Sequence, residues 1–165
     1  MNSKLKLITT GGTIDCESIN DTTNEYSFSE SYIPKMLEQA RNKVDIEIEF
    51  LMSKDSLLIN DDDREKIFQK CLSCTEDKIV ITHGTDTMTE TAKYLGTKIK
   101  DKTIVLVGAM IPYNQNLSDA MFNLGTAIAN VQILPKSVFV SMNGEVFNWD
   151  NVRKNKELGV FENLA

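Results

Sequence analysis

Short apolar runs recur along the chain, and between most of them lie segments whose apolar positions have the spacing of a helix. The runs have the length and residue types of β-strands, and they cover residues 4–9, 44–51, 78–82, 103–107 and 137–142. The segments with helical spacing cover residues 30–42, 61–74, 87–97 and 117–131. Strands that alternate with helices form parallel sheets with helices on both faces. We therefore predict an α/β fold with a doubly wound, mostly parallel sheet.

Two segments depart from this alternation. Residues 15–29 are polar and lack periodicity, which predicts either a long mobile loop or a pair of turns. Residues 143–154 place turn residues between short apolar pieces, as a C-terminal hairpin does. Such a hairpin would bring several charged groups back toward the sheet.

Composition narrows the class of protein. With 165 residues, 41% of them hydrophobic, the chain has material for one well-cored domain. A net charge of -6 argues against nucleic acid as a partner, since phosphate binding needs clustered Lys and Arg. The sequence has neither an apolar run of membrane-spanning length nor the apolar core of a signal peptide. We expect a cytoplasmic protein whose partner is a small neutral or zwitterionic molecule, with no membrane partner.

Features that resemble metal sites are better explained as structural. Cys71 and Cys74 form a CxxC pair at the end of a predicted helix, without a second pair or nearby histidines. The acidic run at residues 61–63 begins that helix, and Ser118 and Asp119 lie at the start of the last predicted helix, as capping residues do. We therefore expect no metal and no other cofactor.

Candidate chemistry lies in two loops that follow predicted strands. One loop carries Thr13, and the other carries Thr85 and Asp86. The carboxyl ends of parallel strands are where α/β sheets bind their ligands, so these side chains would face one crevice. Two hydroxyls, a carboxylate and free backbone N–H groups suit acyl transfer through a threonine ester. The two loops lack an evident base.

Each of the neighbouring residues also has a purely structural explanation. Gly11 and Gly12 would serve a tight turn or cradle a phosphate equally well. His83, the only histidine, is either an acid or base or a side chain held by local hydrogen bonds. Tyr26 could simply pin the polar segment to the core, and Lys154 could be an ordinary solvated lysine.

Three segments together resemble a known family. Residues 10–14 (TGGTI), 83–87 (HGTDT) and 108–110 (GAM) resemble, in order and approximate spacing, the signature segments of bacterial-type L-asparaginases. The resemblance runs from about residue 5 to residue 161. It implies hydrolysis of L-asparagine, with L-glutamine as the alternative substrate, and no cofactor. The family's usual chain adds a smaller C-terminal domain, which we expect residues 1–165 to lack.

The resemblance assigns catalytic roles by position. Thr13 matches the family's primary nucleophile, and Tyr26 matches the lid tyrosine that helps to activate it. Thr85, Asp86 and Lys154 match the second catalytic group, in which Lys154 would supply the missing base. The polar segment that carries Tyr26 is then a candidate lid.

It also assigns substrate contacts. Ser56 aligns with the serine that holds the substrate α-carboxylate, Asp86 would pair with the α-ammonium group, and Thr85 would line the oxyanion region. Ala109 would present its carbonyl oxygen to the leaving amide nitrogen. Leu57 departs from the polar residue that many members carry, so one contact to the α-carboxylate is missing.

Two other functions remain open at this level. The chain could be an amino-acid-binding module, or an isolated domain that is inactive without its partner domain. It could also be an amidotransferase subunit that releases ammonia for a partner. In each case we expect a homodimer or homotetramer, because surface that a second domain would cover must be buried between subunits.

Overall fold

The computed structural model describes residues 4–20, 22–23 and 25–164. In chain order its strands are β1 (Leu5–Gly11), β2 (Ser18–Ile19), β3 (Tyr26–Ser27), β4 (Ile46–Lys54), β5 (Lys78–Thr82), β6 (Thr103–Val107), β7 (Ser137–Met142), β8 (Glu145–Asn148), β9 (Arg153–Asn155) and β10 (Val160–Glu162). Its α-helices are α1 (Ile33–Gln39), α2 (Asp61–Ser73), α3 (Met88–Lys98) and α4 (Ala120–Ile133). Two 3₁₀ turns, Thr13–Asp15 and Ser56–Leu58, follow β1 and β4.

Six strands form one sheet in the order β4-β1-β5-β6-β7-β8. All neighbours in it are parallel except β8, which is antiparallel to β7. The chain passes from β1 to β4 on one side and then crosses to β5 on the other side of β1. The prediction of a doubly wound, mostly parallel sheet is therefore confirmed, and its topological switch point lies between β1 and β5.

The central strands give the carboxyl edge of the sheet a rigid base. Every residue of β6 is buried, as is every residue of β5 except Lys78. Apolar side chains on both faces of such a strand pack against helices, which explains their continuous apolar runs. None of the helices in the part of the chain that the structure describes is long and apolar enough to cross a membrane.

One predicted helix is too long, and another begins too early. The helix predicted at residues 30–42 spans only Ile33–Gln39: the remote Asp15 carboxylate accepts the Tyr32 N–H at 2.6 Å, and Arg41 turns the chain with a φ of 52°. The last helix begins at Ala120 rather than at residue 117, because Leu117 has a φ of 62°. Both limits come from loop conformation, which apolar spacing does not encode.

Capping and cysteine predictions fare differently. Asn60 and Asp63 form a reciprocal capping box at the start of α2, which confirms the capping role of the acidic run. Asp119, in contrast, does not cap α4 with its side chain; the Ser118 hydroxyl accepts the Ala120 N–H instead. The cysteines are free thiols, and Cys74 directly follows the last turn of α2.

The C-terminal region contains two antiparallel pairings instead of the one hairpin predicted within residues 143–154. Asn143 and Gly144, with φ values of 57° and 83°, turn the chain from β7 into β8. A separate two-stranded ribbon then pairs β9 with β10. Lys154 lies in this ribbon, opposite Phe161.

Candidate active site

Five of the seven predicted site residues lie in turns at the carboxyl ends of four strands, whereas Tyr26 lies in β3 and Lys154 lies in β9. Thr13 follows β1, Ser56 follows β4, Thr85 and Asp86 follow β5, and Ala109 follows β6. The turns after β1 and β5 flank the topological switch point, where doubly wound sheets bind ligands. The sheet thus gathers residues that are distant in sequence at one edge.

Glycines allow the backbones of three of these turns to touch. A Cβ atom on Gly12, whose φ is 75°, would lie 2.3 Å from the Gly84 nitrogen. One on Gly11 would lie 2.3 Å from the Lys54 nitrogen, and one on Gly84 would lie 2.6 Å from the Ser56 hydroxyl. No side chain fits at these positions. Glycine is therefore needed for the close contact between the turns, and not only for a tight turn.

Thr13 contacts the tyrosine of the polar segment. The hydroxyls of Thr13 and Tyr26 lie 3.2 Å apart, within hydrogen-bond distance, and either can be the donor. Thr13 is buried and Tyr26 is half-buried. Burial raises the pKa of the Tyr26 phenol despite the opposing effect of the hydrogen bond to Thr13. The phenol is therefore neutral at physiological pH and keeps its proton for this hydrogen bond.

A second group forms around Thr85. The Lys154 Nζ donates to the Thr85 hydroxyl at 2.8 Å and to Asp86 Oδ1, also at 2.8 Å. The Lys154 side chain is 15% exposed and that of Asp86 is 27% exposed, so the ion pair is largely shielded from water. The structure thus brings Lys154, which only the family resemblance grouped with Thr85 and Asp86, into contact with these two residues.

Ser56 and Ala109 border these two groups. Ser56 is buried, and its carbonyl oxygen accepts the Thr87 hydroxyl at 2.7 Å, which ties it to the turn after β5. Gly108 lies against Thr85, because a Cβ on Gly108 would come within 3.1 Å of the Thr85 methyl group. Ala109, the next residue, is fully buried. The described contacts therefore place both residues beside the Thr85 turn.

The polar segment at residues 15–29 forms a loop, the tied loop, in which β2 and β3 make a small ribbon. Of the two predictions for this segment, the pair of turns agrees with this structure. Asp21 and Asn24 of this segment lie outside the described residues. The Asp15 carboxylate, which is buried, accepts the Ser31 hydroxyl at 2.9 Å as well as the Tyr32 N–H. Burial raises the pKa of Asp15, and these hydrogen bonds oppose the rise. Both ends of the loop are thus held together at its base.

The structure assigns His83 a structural position. Its ring is fully buried, with Nδ1 2.8 Å from the Gly84 carbonyl oxygen and Nε2 2.9 Å from the Thr91 hydroxyl. A carbonyl only accepts hydrogen bonds, so Nδ1 carries the proton and Nε2 accepts from Thr91. Burial lowers the pKa of His83 to about 4. Both ring nitrogens are engaged, and the neutral ring fixes the turn that carries Thr85.

Sequence reasoning missed a support for the turn after β6. Asp119 accepts the Met110 N–H at 3.0 Å on each oxygen, and Oδ1 also accepts the Ile111 N–H at 3.0 Å. Asn123 donates to Asp119 Oδ2 at 2.8 Å and to the Gly108 carbonyl oxygen at 3.0 Å. The side chains of α4 thus reach back to the segment on both sides of Ala109. The pattern of a Ser-Asp pair before an apolar helix suggested only a cap.

Comparison with known proteins places this site in a family. The family model described as "Asparaginase, N-terminal" matches residues 4–161. A curated relative, the "Probable L-asparaginase periplasmic" of Haemophilus influenzae, is 32% identical over 94% of this chain and 47% of its own length. The "Glutaminase-asparaginase" of Pseudomonas fluorescens biotype A is 44% identical over 47% of this chain and 23% of its own length.

A solved structure agrees with this. The probable cytoplasmic L-asparaginase from Campylobacter jejuni superposes with a TM-score of 0.80 at 31% identity, over 98% of this chain and 51% of that one. The chain is thus a doubly wound α/β domain, and it belongs to the asparaginase family through that family's N-terminal domain. This chain is matched over nearly all of its length, and it spans about half the length of these relatives.

Proposed function

We propose that this domain hydrolyses L-asparagine to L-aspartate and ammonia through an acyl-enzyme on Thr13. The observation that carries the proposal is the pair of hydroxyl-centred groups at the switch point, Thr13 with Tyr26 and Thr85 with Lys154 and Asp86. An amide hydrolase that works through an ester needs a nucleophile for the first step and an activated water for the second. The group around Thr13 supplies the nucleophile, and the group around Thr85 activates the water.

In the first step the Thr13 oxygen attacks the side-chain carbonyl carbon of the substrate. The Thr13 proton passes to the Tyr26 oxygen while the phenol gives its own proton to the amide nitrogen, so the C–N bond breaks, ammonia departs and Tyr26 stays neutral. Backbone N–H groups of the turns at Thr13 and Thr85 stabilise the oxyanion. In the second step a water attacks the ester carbon, and the group around Thr85 takes one proton from that water and passes it to the Thr13 oxygen as the ester bond breaks. Aspartate leaves, and the Thr13 hydroxyl is restored.

Substrate contacts follow from the same arrangement. Asp86 uses Oδ1 for Lys154, and a carboxylate has a second oxygen that can accept the substrate α-ammonium group. Ser56 holds the α-carboxylate from the neighbouring turn, and the Ala109 carbonyl oxygen accepts from the amide nitrogen. The glutaminase-asparaginase of Pseudomonas supports L-glutamine as an alternative substrate.

The direct test is steady-state release of ammonia from L-asparagine and L-glutamine by the purified chain, with L-aspartate binding measured in parallel by calorimetry. Release that saturates with L-asparagine supports the hydrolase. Binding of L-aspartate without ammonia release supports a binding module or a domain that is inactive by itself. Release that appears only with a copurifying partner supports an amidotransferase subunit.

A homodimer or homotetramer is also proposed. Helix α4 has no charged residue, and its exposed side includes Phe122, 61% exposed, and Ile133, 80% exposed. An apolar groove of 250 Å³ lies between α1 and α4. Two chains with a net charge of -6 can approach each other at such a face without opposing like charges. Light scattering that gives a monomer mass across micromolar concentrations would contradict it.

We propose a cytoplasmic protein, because the similar Campylobacter jejuni protein is described as a probable cytoplasmic L-asparaginase. The Haemophilus relative is named as periplasmic, which favours the other compartment. Fractionation of the native organism with an antibody to the chain decides between the two.

A further inference from the structure

Asn143 connects the ribbon that carries Lys154 to the main sheet. It lies in the turn between β7 and β8, and its Oδ1 accepts the Phe161 N–H at 2.8 Å. Phe161 belongs to β10 and pairs directly with Lys154 of β9. The side chain of Asn143 therefore holds the ribbon at the register position of Lys154.

The backbone of Asn143 connects to the other side of the site. Its N–H donates to Asn123 Oδ1 at 3.2 Å. Asn123 is buried, and its Nδ2 donates to the Gly108 carbonyl oxygen and to Asp119. An unbroken chain of hydrogen bonds thus runs from the segment that precedes Ala109, through the two asparagines, to the strand paired with Lys154.

Lys154 needs such an anchor because its strand is short. Strands β9 and β10 have three residues each and lie outside the six-stranded sheet. A two-stranded ribbon is marginally stable without packing against the rest of the protein. Lysine also has a long flexible stem, so its ammonium group reaches a fixed partner only if its backbone is fixed.

We propose that Asn143 is a positioning residue that holds β10, and through it Lys154, at hydrogen-bond distance from Thr85 and Asp86. The importance of Asn143 for catalysis rests on the proposed function, but its role in holding β10 and Lys154 in place can be tested without measuring activity. The described hydrogen bonds of Asn143 go to Phe161 and Asn123, and none goes to a site residue. It acts through Phe161 and the ribbon.

The backbone conformation makes a clean pair of variants possible. Asn143 has a φ of 57°, which glycine and aspartate both adopt readily. Asn143→Gly keeps the turn and removes the acceptor for the Phe161 N–H. Asn143→Asp keeps the turn and also keeps an oxygen acceptor. The two variants therefore separate the hydrogen bond from the turn.

The first readout is the acetylation rate of Lys154 by acetic anhydride, measured by mass spectrometry at fixed pH. Loss of one hydrogen bond is expected to raise local opening, and thus labelling in Asn143→Gly, about fivefold. Asn143→Asp should label at the parent's rate. Lys78, whose Nζ donates to the Gln132 carbonyl far from the ribbon, is the internal control. Lys154 labelling in Asn143→Gly at the parent's rate would overturn the inference.

The second readout is a double-mutant cycle on ammonia release. Asn143→Gly should lower kcat and leave KM near the parent's value, and it should cost nothing further in a Lys154→Met background. Independent losses in the double mutant would also overturn the inference. A parent without ammonia release refutes the proposed function alone, because the labelling experiment needs no turnover.

Discussion

Lys154 lies 69 positions beyond Thr85 in the chain, and its ammonium group donates to the Thr85 hydroxyl at 2.8 Å. Thr13, by contrast, finds its partner Tyr26 only 13 positions away, in the tied loop that follows β1. The Thr13 hydroxyl thus has its partner in a local loop, and the Thr85 hydroxyl has its partner in a remote ribbon. No described hydrogen bond joins this loop to the ion pair of Lys154 and Asp86, so we expect that the loop can open without disturbing the group that we propose activates water.

Replacing Thr13 by alanine tests the nucleophile. Thr13→Ala should lower kcat at least about a hundredfold, because it removes the attacking oxygen. The midpoint of thermal unfolding should stay within a few degrees of the parent's value, since no large core side chain is lost. Thr13→Ser, which keeps the hydroxyl, is the matched control and should retain far more activity. Turnover of Thr13→Ala within a few-fold of the parent would remove Thr13 from the mechanism.

Replacing Lys154 by methionine tests the second group. Lys154→Met keeps most of the side-chain length and removes the ammonium, so kcat should fall by about a hundredfold or more. Binding of L-aspartate should weaken less than turnover, because Asp86 and Ser56 remain. Lys156→Met, at an exposed position in the same region, provides the control for general effects on the ribbon. Equal activity of the two variants would exclude Lys154 from catalysis.

The fold could be predicted from the sequence where burial alone decides. The runs at Lys78–Thr82, Thr103–Val107 and Ser137–Met142 are strands with the predicted bounds, because central strands are apolar throughout and end at polar turns. Helix ends were less predictable. The remote Asp15 side chain holds Tyr32 ahead of α1, and such a contact leaves no periodic signal in the sequence.

The site was predictable in part for a related reason. Thr13, Thr85 and Asp86 follow strands, so their common edge could be inferred from strand polarity alone. Lys154 required the family resemblance, because nothing local marks a lysine in a peripheral ribbon. The roles of Asp119 and Asn143 were missed, since their side chains accept hydrogen bonds from backbone groups of segments that only the tertiary structure brings near.

The tied loop should exchange its amide hydrogens faster than the sheet, and ligand should slow that exchange. Its ribbon has only two residues in each strand, and Tyr26 is its described link to Thr13. We expect the amides of β2 and β3 to exchange rapidly in the free protein and to gain protection with L-aspartate. The amides of β5 serve as the protected reference. Strong and equal protection of β2 and β3 in both states would show that the loop is no lid.

The buried neutral His83 predicts a specific dependence of stability on pH. Burial lowers its pKa from the usual 6.5 to about 4, so between these values the unfolded chain binds more protons than the folded one. The free energy of unfolding therefore falls as the pH is lowered from about 6.5 to 4, and the stability from keeping the ring neutral is fully present only above 6.5. One pKa unit corresponds to about 1.4 kcal/mol, which gives a loss of about 3 kcal/mol for this group.

The difference between the parent and His83→Asn isolates that contribution. Asparagine retains an N–H donor for the Gly84 carbonyl but lacks the buried neutral ring, so the variant should be less stable at pH 7. Because asparagine does not titrate, the free energy of unfolding of the variant should also change less between pH 6.5 and 4. Carboxyl groups titrate equally in both proteins, and their contribution cancels in the difference. The measurement is urea unfolding at half-unit steps of pH. Parallel profiles would mean that His83 takes up its proton at the same pH in the folded and unfolded chains, and burial would then not lower its pKa.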